Sequence, residues 1–185
     1  NTPAVSVVAL LGHITGLRSL QFLSLEAMGP RSAIDITQFV VDLLSLERLQ
    51  SLNIRNFCVN VQPIAMALRD NSTVKSLRIC SSVKDREKAS TLVAILEDGN
   101  NTDLEYFEMS LFKDDLKRIQ YFARLNQFGR KVAADSSTSS ANFVGLLCTA
   151  SASSEDTLSD GISHFQVQYG LLRTAPCLWS SICHL

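Results

Sequence analysis

Apolar residues return along this chain in blocks of one shape. Leu20/Leu23/Leu25, Leu49/Leu52/Ile54, Val74/Leu77/Ile79 and Leu104/Phe107/Met109 share a spacing, and their starts lie 29, 25 and 30 residues apart. The last two positions of each block alternate with polar neighbours, which is the period of a half-buried strand. Between blocks the spacing changes to three and four, the period of one helix face. Ile36, Phe39, Val40, Leu43 and Leu44 form one such face, Ile64 and Leu68 a second, and Leu92, Val93 and Leu96 a third. Short strands joined through helices require a parallel sheet. One strand-helix unit cannot bury its own apolar face, so successive units are expected to stack around a continuous core.

Local signals punctuate the pattern. Thr2-Pro3 is placed to open a helix, Ser32 with Asp35 resembles a capping box, Pro63 begins a short helix, and Gly99 can end one in a left-handed conformation. Beyond residue 112 the repeat stops. Leu116, Ile119, Phe122 and Leu125 predict a helix running toward Gly129, followed by a break over Ser136 to Ser140. That break supplies a helix cap at Ser139 or Ser140. Two more helical stretches follow, around Phe143 to Cys148 and Leu158 to Leu172, the second ended by Pro176. The expected organisation is a repeat unit over residues 1–112, with about four repeats, and a helical C-terminal cap over 113–185.

A period in the twenties points to leucine-rich repeats, and particular words add to this. The stretch from Ile64 to Ile79, in which a helix end, an Asn71-Ser-Thr turn and a strand follow in order, resembles the ribonuclease-inhibitor-like class of leucine-rich repeat proteins. The segment from Leu92 to Leu104, with Asn101-Thr-Asp in the turn, repeats it. The resemblance covers roughly residues 4 to 112. It implies an α/β fold: a short solenoid with parallel strands on its concave face and helices on its convex face. One departure is that the Asn or Cys usual three residues past the strand is Met28, Phe57, Ser82 and Phe112 here, with Cys58 one residue off register. The words Ile119 to Arg130 and Tyr169 to Pro176 resemble the C-terminal extension of uncharacterised diatom leucine-rich repeat proteins.

On such a sheet the residues between the buried strand positions face the concave side. They are Phe22, Ser24 and Glu26; Ser51, Asn53 and Arg55; Ser76, Arg78 and Cys80; and Tyr106, Glu108 and Ser110. Four strands make a patch only about 15 Å across, the size of a peptide or one protein edge. Arg55, Arg78, Phe22 and Tyr106 are the expected anchors for a protein partner, because aromatic and Arg side chains dominate interface energetics. The plainer alternative pairs Glu26 with Arg55 and Arg78 with Glu108 across the strands.

Composition narrows the classes. Seventeen basic against eighteen acidic residues leave no basic stripe for nucleic acid. The apolar run Ala4 to Leu11 is far shorter than the roughly 20 residues that span a bilayer, so no membrane partner is expected. No positive residue precedes that run, which argues against a secretory signal, and a chain opening on Asn can be a fragment. Five cysteines, an odd number unevenly spread, argue against a disulfide framework and for a reducing compartment, cytoplasmic or nuclear. Asn71-Ser-Thr and Asn100-Asn-Thr match the glycan acceptor pattern, and are read as loop residues in an intracellular protein.

Cys177 and Cys183-His184, with His13 and His164, lack the two separated ligand pairs of a zinc site, so neither metal nor cofactor is expected. Without a nucleophile elbow, a phosphate-cradling loop or metalloprotease spacing, the chain does not read as an enzyme. The function expected is a protein-protein interaction module using its concave face. Two rivals differ in class: a regulator of a small GTPase or other enzyme through an exposed arginine, as some ribonuclease-inhibitor-like relatives are, and a thiol hydrolase using Cys80 or Cys148.

Overall fold

The computed structural model describes residues 13–27 except 15 and 18, then 34–135, 137–152 and 163–175. Strands β1 (Phe22–Glu26), β2 (Ser51–Asn60), β3 (Ser76–Lys84) and β4 (Tyr106–Met109) form one parallel sheet in that order. The register matches the sequence period: Leu23, Leu52, Leu77 and Phe107 lie side by side, as do Leu25, Ile54, Ile79 and Met109. Helices α1 (Thr37–Leu44), α2 (Val61–Arg69), α3 (Ala89–Glu97) and α4 (Lys113–Gln127) pack neighbour to neighbour beside it. Leu52, Leu77, Ile54 and Ile79 are wholly buried against Leu43, Ile64, Leu68, Leu92 and Leu96, while Leu23 and Leu25 are half-buried. Each fully buried aliphatic side chain contributes about 1.5–3 kcal/mol.

Several boundaries differ from expectation. Strand β2 runs on to Asn60 through an irregularity between Arg55 and Cys58, where Asn56 takes φ +63°. Asn tolerates that left-handed backbone better than most residues. Its side-chain amide reaches the carbonyl oxygen of Ala27 (3.2 Å) and Oε1 of Glu26 (3.4 Å). The fourth strand ends at Met109, so Ser110 is not part of it; its hydroxyl accepts from Arg86 Nη2 at 3.3 Å. Helix α2 starts two residues ahead of Pro63, and Gly99 takes the expected left-handed conformation, φ +74°. The Thr2-Pro3 opening, Ser32 and Pro176 lie outside the described residues.

The expected capping box joins Asp35 to Ser32, which lies outside the described residues; the contacts of Asp35 that are described go elsewhere. Asp35 sits ahead of α1 and accepts from the Thr37 amide (3.0 Å) and hydroxyl (2.6 Å) through Oδ1, while Oδ2 takes Asn60 Nδ2 (3.2 Å) and Lys84 Nζ (3.1 Å). Asp85, itself left-handed at φ +48°, accepts from the amides of Val61 (2.8 Å) and Gln62 (3.4 Å) at the start of α2. These carboxylates meet amides that α-helices leave unpaired at their N-termini.

The opposite turns, from helix back to strand, are closed by asparagines. Asn71 Nδ2 donates to the Leu44 carbonyl oxygen (2.6 Å), and its Oδ1 accepts from the Thr73 and Val74 amides. Asn101 repeats this one layer on: Nδ2 donates to the oxygens of Leu68 (2.7 Å) and Asn71 (3.0 Å), and Oδ1 accepts from Asp103 and Leu104. Asn126, on α4, donates to the oxygens of Leu104 (2.9 Å) and Asn101 (3.3 Å). All three are buried. Asn71 therefore serves the fold and is closed to a glycan, whereas Asn100 is exposed.

The residues after β4 form α4, α5 (Arg130–Ala134), α6 (Ser140–Ala152) and α7 (His164–Thr174). Ser139 Oγ accepts from the Asn142 amide at 3.3 Å, which fulfils the expected cap. These helices hold a second apolar cluster, Leu125, Phe128, Phe143, Val167 and Leu171 among its members. Arg130 joins it to the repeats. This buried guanidinium donates to the Leu96 carbonyl oxygen and to that of Glu97 (2.6 Å) at the end of α3, and stands 5.0 Å over the Phe122 ring. Burial pushes its pKa down, but an arginine retains its charge throughout the accessible pH range.

Helix α7 lies close on α4 at Gly170, where a β-carbon would come within 2.3 Å of Tyr121 Oη and 2.7 Å of Leu125 Cδ2. Gly170→Ala is expected to displace Tyr121 from its hydrogen bond to the Gln166 oxygen (3.2 Å) and to cost about 1–2 kcal/mol. Thermal unfolding measures this; an unchanged midpoint would refute the close approach.

Candidate functional site

One face of the sheet is covered by α1 to α4. The other carries eleven of the twelve residues expected there, in rows set by the strand register. Phe22, Ser51, Ser76 and Tyr106 form one row, Ser24, Asn53, Arg78 and Glu108 the next, and Glu26, Arg55 and Cys80 the third. Ser110 drops out of the third row because β4 has ended. The first row places an exposed ring at each end: Phe22 is 65% exposed and Tyr106 48%. Small hydroxyl side chains lie between them.

The polar residues do not share one condition. On the last two strands Glu108 gathers its neighbours: Arg78 Nε stands 2.8 Å from Oε2, Arg78 Nη2 donates to Oε1 (3.3 Å), and Tyr106 Oη donates to Oε2 (2.8 Å). Cys80 Sγ also donates to Oε1, at 3.4 Å. Burial pushes the Glu108 carboxyl up, but the Tyr106 and Cys80 hydrogen bonds and the Arg78 charge outweigh it and hold the group below the ordinary glutamate value. The hydrogen bond to Glu108 in turn raises the Tyr106 phenol. Two of the four expected anchors are thus tied to an internal carboxylate.

Arg55 differs. Its register neighbour Glu26 forms no ion pair with it among the described residues; Glu26 takes the Asn56 amide instead. Arg55 Nε is shielded from water without a hydrogen-bond partner, as are Asn53 Oδ1 and Arg78 Nε, but Arg78 has the Glu108 carboxylate 2.8 Å away and Arg55 has no such counter-charge among the described residues. Asn53 spends its amide nitrogen on Ser24 Oγ, at 3.2 Å. Leaving a shielded polar atom unpaired costs about 1–3 kcal/mol, which an incoming ligand group can recover. The pairing proposed from sequence therefore forms at Arg78 and Glu108 and fails at Arg55. Sequence spacing alone does not separate them, because the Asn56 irregularity that diverts Glu26 is a backbone property.

Among the described residues no group of three His, Cys, Asp or Glu side chains can hold a metal ion, and Cys58, Cys80 and Cys148 are free thiols. Cys177, Cys183 and His184 lie outside the described residues, as does the His164 side chain. No described helix is long and apolar enough to cross a membrane.

The acid behaviour of the chain follows from its held carboxylates. Burial raises the Asp35 pKa, but the Thr37 hydroxyl and amide and the Lys84 ammonium bring it below the ordinary value, as happens for Glu108. A depressed folded pKa means that the folded chain binds protons less readily than the unfolded one. The stabilisation is complete above the unfolded carboxylate range, about pH 4, and is lost as pH falls through the folded values. Asp35→Asn with Glu108→Gln is expected to flatten the acid limb of a stability-pH curve. A limb of unchanged slope would show that these groups do not carry it.

Compared with protein-family models and with curated protein sequences, the chain gives no match. Among solved structures it is similar to Leiomodin-1 Actin-Binding Site 2, with a TM-score of 0.53 over 66% of this chain and 75% of that one. The fold is leucine-rich-repeat-like. At 14% identity the likeness extends to the fold alone. The arrangement of parallel strands and helices agrees with the α/β class read from the sequence.

Proposed function

We propose that this protein is a non-enzymatic interaction module that seats a protein partner on the open face of its sheet, with Arg55 as the main charged anchor. Arg55 carries the reading: it is a cation on that face with no ion pair among the described residues, two rows along the strands from the exposed rings of Phe22 and Tyr106. A partner carboxylate opposite Arg55 would receive the charge-assisted hydrogen bonds that Glu26 does not supply. The finer description is a solenoid of the ribonuclease-inhibitor-like class over residues 1–112, capped by an extension over 113–185 like that of the diatom proteins. The Asn71 and Asn101 turns support the first part, and the Arg130 contact supports the second. The free thiols of Cys58, Cys80 and Cys148 suit a reducing compartment.

Because the similar structure is an actin-binding site of Leiomodin-1, actin is the first bait, beside affinity purification from native extract. Arg55→Ala is expected to weaken capture of the partner about tenfold or more, and Arg78→Ala much less, since Arg78 already answers Glu108. If the folded Arg55→Ala/Arg78→Ala protein retains its partner in a pull-down, the assignment of this face is wrong. Regulation of a GTPase would use the same free arginine, and would show as a changed hydrolysis rate that Arg55→Ala abolishes.

A further inference from the structure

A cleft of about 500 Å³ opens beside the last strand, away from Arg55. Its floor is Phe107, Leu116 and Ala123, and its rim carries Lys75, Lys113, Lys117 and Arg124 against one carboxylate, Glu105. Lys75 and Glu105 pair with each other at 2.9 Å, which leaves an excess of positive charge along α4. Lys113 and Lys117 are four residues apart on α4 and have no ion-pair partner among the described residues. That concentration of one sign is not a property of the whole chain, which carries seventeen basic and eighteen acidic residues.

The other wall is the outer edge of β4. The Tyr106 amide donates inward to the Lys75 carbonyl oxygen at 2.9 Å. In a parallel ladder alternate residues bond to opposite sides, so the N–H and C=O of Phe107 turn outward, away from β3. No strand pairs with that edge among the described residues. An unpaired edge offers backbone hydrogen bonds to an extended chain, and the flanking side chains select its sequence.

From charge complementarity and the open edge, we propose that this cleft binds an extended acidic peptide segment of another protein, laid along β4 with its carboxylates toward Lys113 and Lys117. The cleft shares Ser76 and Tyr106 with the first row of the open face but does not include Arg55, so it stands or falls independently of Arg55. The apolar floor takes side chains on the inner side of the segment, and the lysines take those along the rim.

The probes are three short labelled peptides measured by fluorescence anisotropy against the full chain: alternating glutamate and valine, alternating lysine and valine, and the acidic peptide with a central proline. The acidic peptide is expected to bind, with affinity falling as salt rises, and the lysine peptide not to bind. The proline peptide should bind at least tenfold more weakly, because it loses a ladder donor. Lys113→Glu/Lys117→Glu should abolish binding while Arg55→Ala leaves it unchanged, and circular dichroism checks that both variants fold. Lys113→Gln/Lys117→Gln gives a milder second variant should the glutamates perturb α4. Equal binding of the acidic and lysine peptides, or full binding by the lysine-to-glutamate variant, overturns the proposal. Equal binding of the proline peptide overturns the strand geometry, and acidic-peptide binding lost in Arg55→Ala relocates the site to the open face.

Discussion

Asn101→Asp, a change of one nitrogen for one oxygen, is expected to destabilise the fold by about 3 kcal/mol near neutral pH. The Asn101 side chain is 1% exposed and its amide nitrogen faces two carbonyl oxygens, those of Leu68 and Asn71. A carboxylate keeps the bonds accepted from Asp103 and Leu104 but sets a negative oxygen against those carbonyls, in a place water cannot reach. The aspartate is therefore driven toward its protonated form, and its folded pKa rises above the unfolded one. Stability relative to the natural chain should recover below the unfolded value and decline as pH rises through the folded one. Asn101→Ala loses all four bonds, at a similar cost of about 3 kcal/mol, without that pH dependence. Urea unfolding of both variants at neutral and acid pH separates the two. An aspartate variant as stable as the natural chain at pH 7 would falsify the role given to Asn101.

Arg130→Ala has the second large effect, about 3–4 kcal/mol, from the loss of two charge-assisted bonds at the end of α3 and of the ring beneath. The Leu96 and Glu97 oxygens sit where the helix dipole is negative, so a cation there is favoured over any neutral donor. Arg130→Lys keeps the charge but cannot present two nitrogens in one plane, and should recover only part of the loss. In urea, the alanine variant should also separate the transition into two, with the apolar cluster around Phe143 and Leu171 melting first. A single transition at the natural midpoint would show that Arg130 is not the joint.

The strand register was legible because two-residue alternation leaves no freedom: sliding a strand by one residue turns its whole apolar row to water. Leu52, Leu77 and Phe107 could only align as they do. The helix faces were legible for the same reason. What escaped were the side-chain contacts between distant residues that the strand period does not set. Asp35 meets the start of α1 locally through Thr37 but also holds Asn60 and Lys84, and Asp85 caps α2 through Val61 and Gln62; neither carries a local signature for those distant partners. Asn71 and Asn101 were visible as turn words, yet the same letters spell a glycan acceptor at Asn71, and only burial decides between them. On the open face, four arginine and glutamate positions looked like two equal pairs. The left-handed Asn56 breaks that symmetry by taking Glu26 away from Arg55.

The asparagine turns also give the molecule a polarity. Asn71 closes oxygens made 27 residues before it, Asn101 those made 33 and 30 before it, and Asn126 those made 25 and 22 before it. Every clasp is thus supplied from downstream, and a nascent chain leaving the ribosome holds each rung unlatched until the next has been synthesised. Each layer is fastened by the one after it, and α4, through Asn126, fastens the last.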